Sequence, residues 1–297
     1  MANAIGINGT HKRKETYANE VLTIARSEMN IYEDFSTDYE VDGATGQINV
    51  PTRNGEVQLS DYDVLNGINL TQSATDYLPL PIDKNYACNE LIDGYEAEAV
   101  PDDIKAQRVE SAGYSFGLKK ENFAIDALKT GTVSEDTTAL TESTVYKKIA
   151  KEVSNMKKRN MKVNSMRIVV DADTELLLLT DDKFANTAGT LGAELIREGV
   201  IGKINGVPVK PNYLLGNMTR EEGEGSSLAD VTRPVEFVIY DKRFCQKYEN
   251  WAVEPSINNI SDGKHIGASA LQGRQVGGLM VTNALGVQVK LGAAITD

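Results

Sequence analysis

Histidine, cysteine and tryptophan are nearly missing from these 297 residues: His11 and His265, Cys88 and Cys245, and Trp251 are all there are. Two histidines and two cysteines cannot build a His/Cys metal cluster, and they leave little for general-base chemistry. Two cysteines so far apart make no disulfide framework either. Positive charge is also short, with 31 Lys and Arg against 43 Asp and Glu, a net charge of −12. Chains that grip nucleic acid neutralise phosphates with an excess of Lys and Arg, so any DNA contact here has to come from a local patch. The longest clean aliphatic run, Leu176 to Leu179, is far below the roughly 20 apolar residues of a membrane span. The opening MANAIGINGTHKRK carries no apolar signal-peptide core. The expectation is a soluble, intracellularly made chain whose sequons at Asn8, Asn69, Asn217 and Asn259 stay unmodified.

What is present is length and pattern. At about 150 residues per domain the chain predicts roughly two domains with a sizeable core. Thr16 to about Tyr32 places Ala18, Leu22, Ala25 and Met29 at helical spacing behind a basic arm, His11 to Lys14. From Tyr39 to Asp83 the pattern turns polar and alternating. A two-residue turn at Asn54-Gly55 would set Val50 opposite Leu59 and Thr52 opposite Val57. Such a ribbon, with Ile48, Val50, Val57 and Leu59 as its apolar face, is too thin to fold alone.

Pro101-Asp102-Asp103 opens and Thr130-Gly131 closes a helix of about 28 residues, roughly 42 Å long. Val109, Ala112, Phe116, Phe123 and Ala127 stripe it, and Gly113 and Gly117 inside it suggest close packing or a bend. A second helix, Ser143 to Arg159, turns Val145, Ile149, Val153 and Met156 inward and a lysine-rich face outward. Met166 to Val170 has the pattern of a buried strand, Asp171 or Asp173 of the cap of a short helix, and Leu191 to Glu198 of another helix. Asn205-Gly206 marks a hairpin whose second strand Pro208 pushes toward an edge. Thr219 to Arg233 is expected to be a loop, and strands follow at Val235 to Tyr240, Trp251 to Ile257, Leu271 to Thr282 and Val287 to Leu291.

Several motifs are weaker than they look. Gly113-Tyr114-Ser115-Phe116-Gly117 matches a serine nucleophile elbow, but that motif needs a strand-to-helix turn and this one lies inside a helix. Gly202-Lys203 and Gly263-Lys264 lack the rest of a phosphate loop. Asp171, Asp173, Asp181 and Asp182 lack the glycine and terminal glutamate of a calcium loop. The basic helix face serves as a solvated surface or a rim for an acidic neighbour. Cys88 and Cys245 are expected as small core residues and Trp251 as a core anchor. An arm, an underfilled ribbon and an overlong helix are elements that gain by packing on other chains.

That order of elements resembles the Hong Kong 97-like major capsid proteins of tailed bacteriophages. The resemblance is carried by Tyr77 to Gly131, YLPLPIDKNYACNELIDGYEAEAVPDDIKAQRVESAGYSFGLKKENFAIDALKTG, and by Arg167 to Leu215. The latter ends in G-x-I-G-x-I-x-G-V-P-V, here Gly199 to Val209. It implies an α+β fold with an N-terminal arm (1–38), an E-loop hairpin (39–83), a peripheral domain (84–140) with a spine helix over 102–130, an axial domain (141–240) and return strands (241–297). The implied function is that of a non-enzymatic shell subunit without cofactor or metal, forming hexamers and pentamers of an icosahedral virion head around DNA. Synthesis in the bacterial host cytoplasm, a separate scaffolding protein, a portal and decoration proteins belong to the same picture. Ile48, Val50, Arg53, Val57 and Leu59 would make inter-subunit contacts. The encapsulin-like compartment shares the fold and is the nearest alternative; a serine hydrolase using Ser115 is the distant one. Some relatives join their shells through an E-loop lysine, but no lysine lies between Lys14 and Lys84, so this ribbon has to hold its neighbours without that bond.

Overall fold

A computed structural model describes residues 29–36, 46–53, 59–68, 75–93, 102–136, 138–181, 183–184, 199–215, 219–221, 232–261 and 263–292. The expected helices over 16–32 and 191–198 fall largely or wholly outside them, as do Val57 and the side chains of Arg53 and Trp251. Residues Tyr32–Asp34 form a single 3-10 turn.

The larger sheet is built from β4 (Thr132–Val133), β5 (Met166–Val170), β6 (Gly202–Ile204), β7 (Val207–Pro211), β8 (Thr219–Glu221), β9 (Thr232–Asp241) and β12 (Val287–Leu291). Its order is β4-β12-β9-β5-β7-β6, with β8 added along β9. Alternation sorts its side chains to two faces. Met166, Ile168, Val170, Phe237 and Ile239 meet Val145, Ile149, Val153 and Met156 of α2 (Val145–Lys158) and Leu178 of α3 (Ala172–Thr180). Val169, Val238, Tyr240, Val287 and Val289 meet Ala124, Ile125 and Leu128 of α1 (Asp102–Leu128). The four α2 side chains are fully buried, each stabilising by about 1.5–3 kcal/mol.

α3 starts where Asp171 accepts the Thr174 N–H as N-cap. Asn205 and Gly206, with φ of 51° and 87°, make the turn joining β6 to β7, where positive φ at both centres suits the strand twist. Pro208 does not sit on an edge strand: β7 lies between β5 and β6. Its missing N–H is tolerated because pairing with β5 begins one residue later, Ile168 opposite Val209. The acidic 219–233 segment is not loop throughout, since Thr219–Glu221 pairs with Thr232–Pro234.

A second sheet joins β10 (Cys245–Asn259), β11 (Ser269–Val281) and β3 (Lys84–Ile92). Against it lies the first half of α1, where Phe116 and Phe123 flank Tyr86 at centroid distances of 5.5 and 5.6 Å. α1 therefore serves both sheets, its second half under the large one and its first half on the small one. Gly117 faces Met29, whose sulfur would lie 3.1 Å from an added Cβ, whereas Gly113 faces open space and packs against nothing. Close packing thus accounts for one of the two helical glycines.

The ribbon closes differently from the Asn54-Gly55 expectation. β1 (Gln47–Arg53) pairs antiparallel with β2 (Thr75–Pro81), so Val50 lies opposite Leu78 and Ile48 opposite Leu80. That register puts two leucines on the face that already holds Ile48 and Val50, and the face buries against Tyr248, Ile82 and Met280. The alternative with residues 57–59 would have offered less apolar area. β2 crosses β11 so closely that a Cβ on Gly278 would lie 2.0 Å from the Pro81 carbonyl oxygen. Among the described residues, no helix is long and apolar enough to cross a membrane.

Candidate functional site

Moving the ribbon partner to 75–81 leaves residues 59–68 as a projecting tip. Its sequence, Leu59-Ser-Asp-Tyr-Asp-Val-Leu-Asn-Gly-Ile68, is rich in large apolar groups. Leu59 is 94% exposed, Val64 85% and Leu65 92%, with Tyr62 and Ile68 also exposed. Five such side chains in ten residues form a patch of the kind that marks an interaction surface. The apex is stiffened from within. Asp63 accepts the Leu65 N–H at 2.9 Å and the Asn66 amide at 2.6 Å, and its carbonyl accepts the Gly67 N–H at 2.8 Å. Gly67 supplies the positive φ, 70°, that ends the turn. The Leu65 N–H bond holds the Asp63 carboxyl below its ordinary range.

The residues expected to make inter-subunit contacts separate into two groups. Ile48 and Val50 are buried inside this chain, while Leu59 stands in solvent on the tip. Arg53 ends β1 opposite Thr75, and Val57 lies outside the described residues. The alternation of the sequence thus pointed to the ribbon; it did not separate its base from its tip.

A groove of about 530 Å3 lies between α1 and β3, floored by Ala112, Phe116 and Leu271 and bordered by Arg108 and Lys119. Arg108 pairs with Glu90 at 3.0 Å. Cys88 lines the groove, half-exposed, so it is not the core residue expected. Cys245 is buried, and burial pushes its thiol far up. Ser115 lies mid-helix, its hydroxyl donating to the Ser111 carbonyl at 2.9 Å, which is helix geometry and no nucleophile elbow. The described residues hold no group of three His, Cys, Asp or Glu side chains disposed to bind a metal.

Two buried polar clusters have no local signature in sequence. Glu121 on α1 is fully buried and accepts the backbone N–H groups of Asn30, Ile31 and Tyr32 at 2.8–2.9 Å and the Asn212 amide at 2.6 Å. Nearby, Tyr240 donates to Asp34, which also pairs with Lys242. On the other face of the large sheet, Lys290 is buried and donates to the carbonyls of Asp136, Thr138 and Leu291. Glu236 lies 3.8 Å from it. Burial raises the Glu236 carboxyl to about 7, against the attraction of Lys290, and lowers the Lys290 amine.

No protein-family model and no characterised protein matches the chain in sequence. Its structure does have matches. The capsid structure of Cyanophage P-SCSP1u superposes with a TM-score of 0.74 at 13% identity, over 94% of this chain and 92% of that one. A structure from Mycobacterium phage Che8 gives 0.70 at 17% identity, over 95% and 98%. The mature capsid of bacteriophage PhiM1 gives 0.68 at 14% identity, over 96% and 93%. The chain is a mixed α+β protein with the fold of these phage capsid structures.

Proposed function

We propose that the chain is a major capsid subunit of a tailed double-stranded DNA bacteriophage, assembling as hexamers and pentamers into an icosahedral head. The observation that carries this reading is the near end-to-end superposition on phage capsid structures, with 94–98% of both chains covered in the first two cases above at best and 92% at least. In the Hong Kong 97-like scheme, 1–38 is the arm, 39–83 the E-loop, 84–140 the peripheral domain with α1 as spine helix, 141–240 the axial domain and 241–297 the return strands. The apolar tip at 59–68 supports the same reading, because a surface of that kind gains by burial on another chain.

Ile48 and Val50 then fix the ribbon to its own subunit, while Arg53, Val57 and Leu59, with the rest of the tip, face the neighbour. The subunit is non-enzymatic and resides in the virion after synthesis in the host cytoplasm. Scaffold, portal and decoration proteins are its expected partners, and it encloses DNA without reading its sequence. The acidic net charge suits a container that does not hold the genome at many phosphates.

Electron microscopy and sedimentation of the purified full chain, alone and co-expressed with a scaffolding protein, test the proposal. Rings or closed shells are the expected result; a strictly monomeric chain under both conditions overturns it.

A further inference from the structure

Resting on the capsid reading, we infer that the apex of the 59–68 tip docks into the groove between α1 and β3 of a second copy of this chain. The two surfaces are complementary in three respects. The tip offers Val64 and Leu65 at its apex, and the groove has an apolar floor of Ala112, Phe116 and Leu271. The tip carries Asp61 and Asp63 and no cation. The groove lining holds two cations, Arg108 and Lys119, against one anion, Glu90, an excess of one positive charge. The groove's volume of about 530 Å3 lies within the roughly 300–1,000 Å3 of cavities that take a compact guest.

The tip is also built beforehand. The Asp63 bonds to Leu65 and Asn66 and the closing Gly67 N–H fix its apex before any partner arrives, which lowers the entropy lost on docking. Knob and groove occupy different surfaces of one chain, so the contact is head-to-tail. Such contacts repeat from copy to copy and close into rings when the rotation permits.

The half-exposed thiol of Cys88 inside the groove supplies the test, since the chain's other cysteine is buried. Val64→Cys and Leu65→Cys chains are each co-assembled at about one part in ten with wild-type chain, so that particle formation does not depend on the variant. Purified particles are treated with a short bis-maleimide linker and run on a denaturing gel. The expected result is a covalent dimer from at least one variant, reduced at least ten-fold when every chain carries Cys88→Ala. Particles containing the variants but yielding no dimer overturn the docking and leave the capsid reading standing. A dimer that persists with Cys88→Ala overturns it as well, because the thiol reached is then elsewhere. A wild-type chain that forms no particles fails the capsid reading itself, and the docking falls with it.

Discussion

The Glu121 carboxylate accepts the Ile31 N–H at 2.8 Å across 90 residues of chain. With Asn30, Tyr32 and Asn212 on the same two oxygens, one side chain fixes the segment at 30–32, the spine-like helix α1 and the loop after β7 to each other. Replacing it by alanine strands buried donors, each worth about 1–3 kcal/mol when unpaired. Glu121→Ala is expected to lower stability by at least about 3 kcal/mol. Glu121→Gln is expected to cost less, because one oxygen survives and an amide N–H faces the Tyr32 donor. Urea unfolding of the two variants measures the difference; equal midpoints to wild type would refute the role.

Two glycines on one helix are expected to respond with opposite signs. A methyl group at Gly113 meets nothing within 4 Å, so Gly113→Ala should stabilise by about 0.5–1 kcal/mol through helix propensity. At Gly117 the same methyl meets Met29 at 3.1 Å, and the gain should vanish or reverse. Thermal melts of the pair decide this, and two equal shifts would contradict the packing described.

Gly278→Ala places a Cβ against the Pro81 backbone oxygen at 2.0 Å. Backbone atoms cannot swing aside as a side-chain end can, so β2 must shift off β11, at a cost of about 1–3 kcal/mol or more. Hydrogen exchange should show the loss centred on residues 47–53 and 75–81, and protection unchanged there would count against the close crossing.

Since Arg53 lies opposite Thr75, residues 54–74 can be replaced by Asn-Gly as a two-residue turn. The shortened chain should fold with wild-type circular dichroism and fail to form shells. Normal shells from it would exclude the tip from assembly.

Glu236 sets a pH dependence. Its carboxyl is raised from 4.5 to about 7, chiefly by burial, so over that window the folded chain holds a proton that the unfolded chain has released. Stability therefore falls as pH rises from about 4.5 to 7. Asp171 is raised as well and adds in the same direction. Glu236→Gln should flatten this slope without abolishing it, measured as urea midpoints at pH 5, 6 and 7; an unchanged slope would assign the titration to another group.

Much of the fold is legible locally. The α2 stripe at Val145, Ile149, Val153 and Met156, the Asp171 cap, the Asn205-Gly206 turn and the strand Val287–Leu291 all follow from periodicity and turn chemistry, and each is found. Where the pattern misled, the deciding partner was distant. Val50 pairs with Leu78 across a long connection that no turn signal announces. Pro208 sits inside the sheet because β5, some forty residues earlier, lies alongside only from Val209 onward. Glu121 and Lys290 read as surface charges in sequence; their burial depends on backbone donors and acceptors supplied by other segments. The site followed the same rule: alternation located the ribbon, and only the register revealed which part of it projects.

The helix α1 lies under one sheet near Leu128 and on the other near Phe116. Its 27 residues make a beam of about 40 Å, so a tilt of about 5° moves its far end by about 3.5 Å. Glu121, clamped between the two contact regions, occupies the place of a fulcrum. A side chain sized for one hydrogen-bonded nest is thereby positioned to convert a small rotation of one sheet into a displacement of the other large enough to change which neighbour it touches.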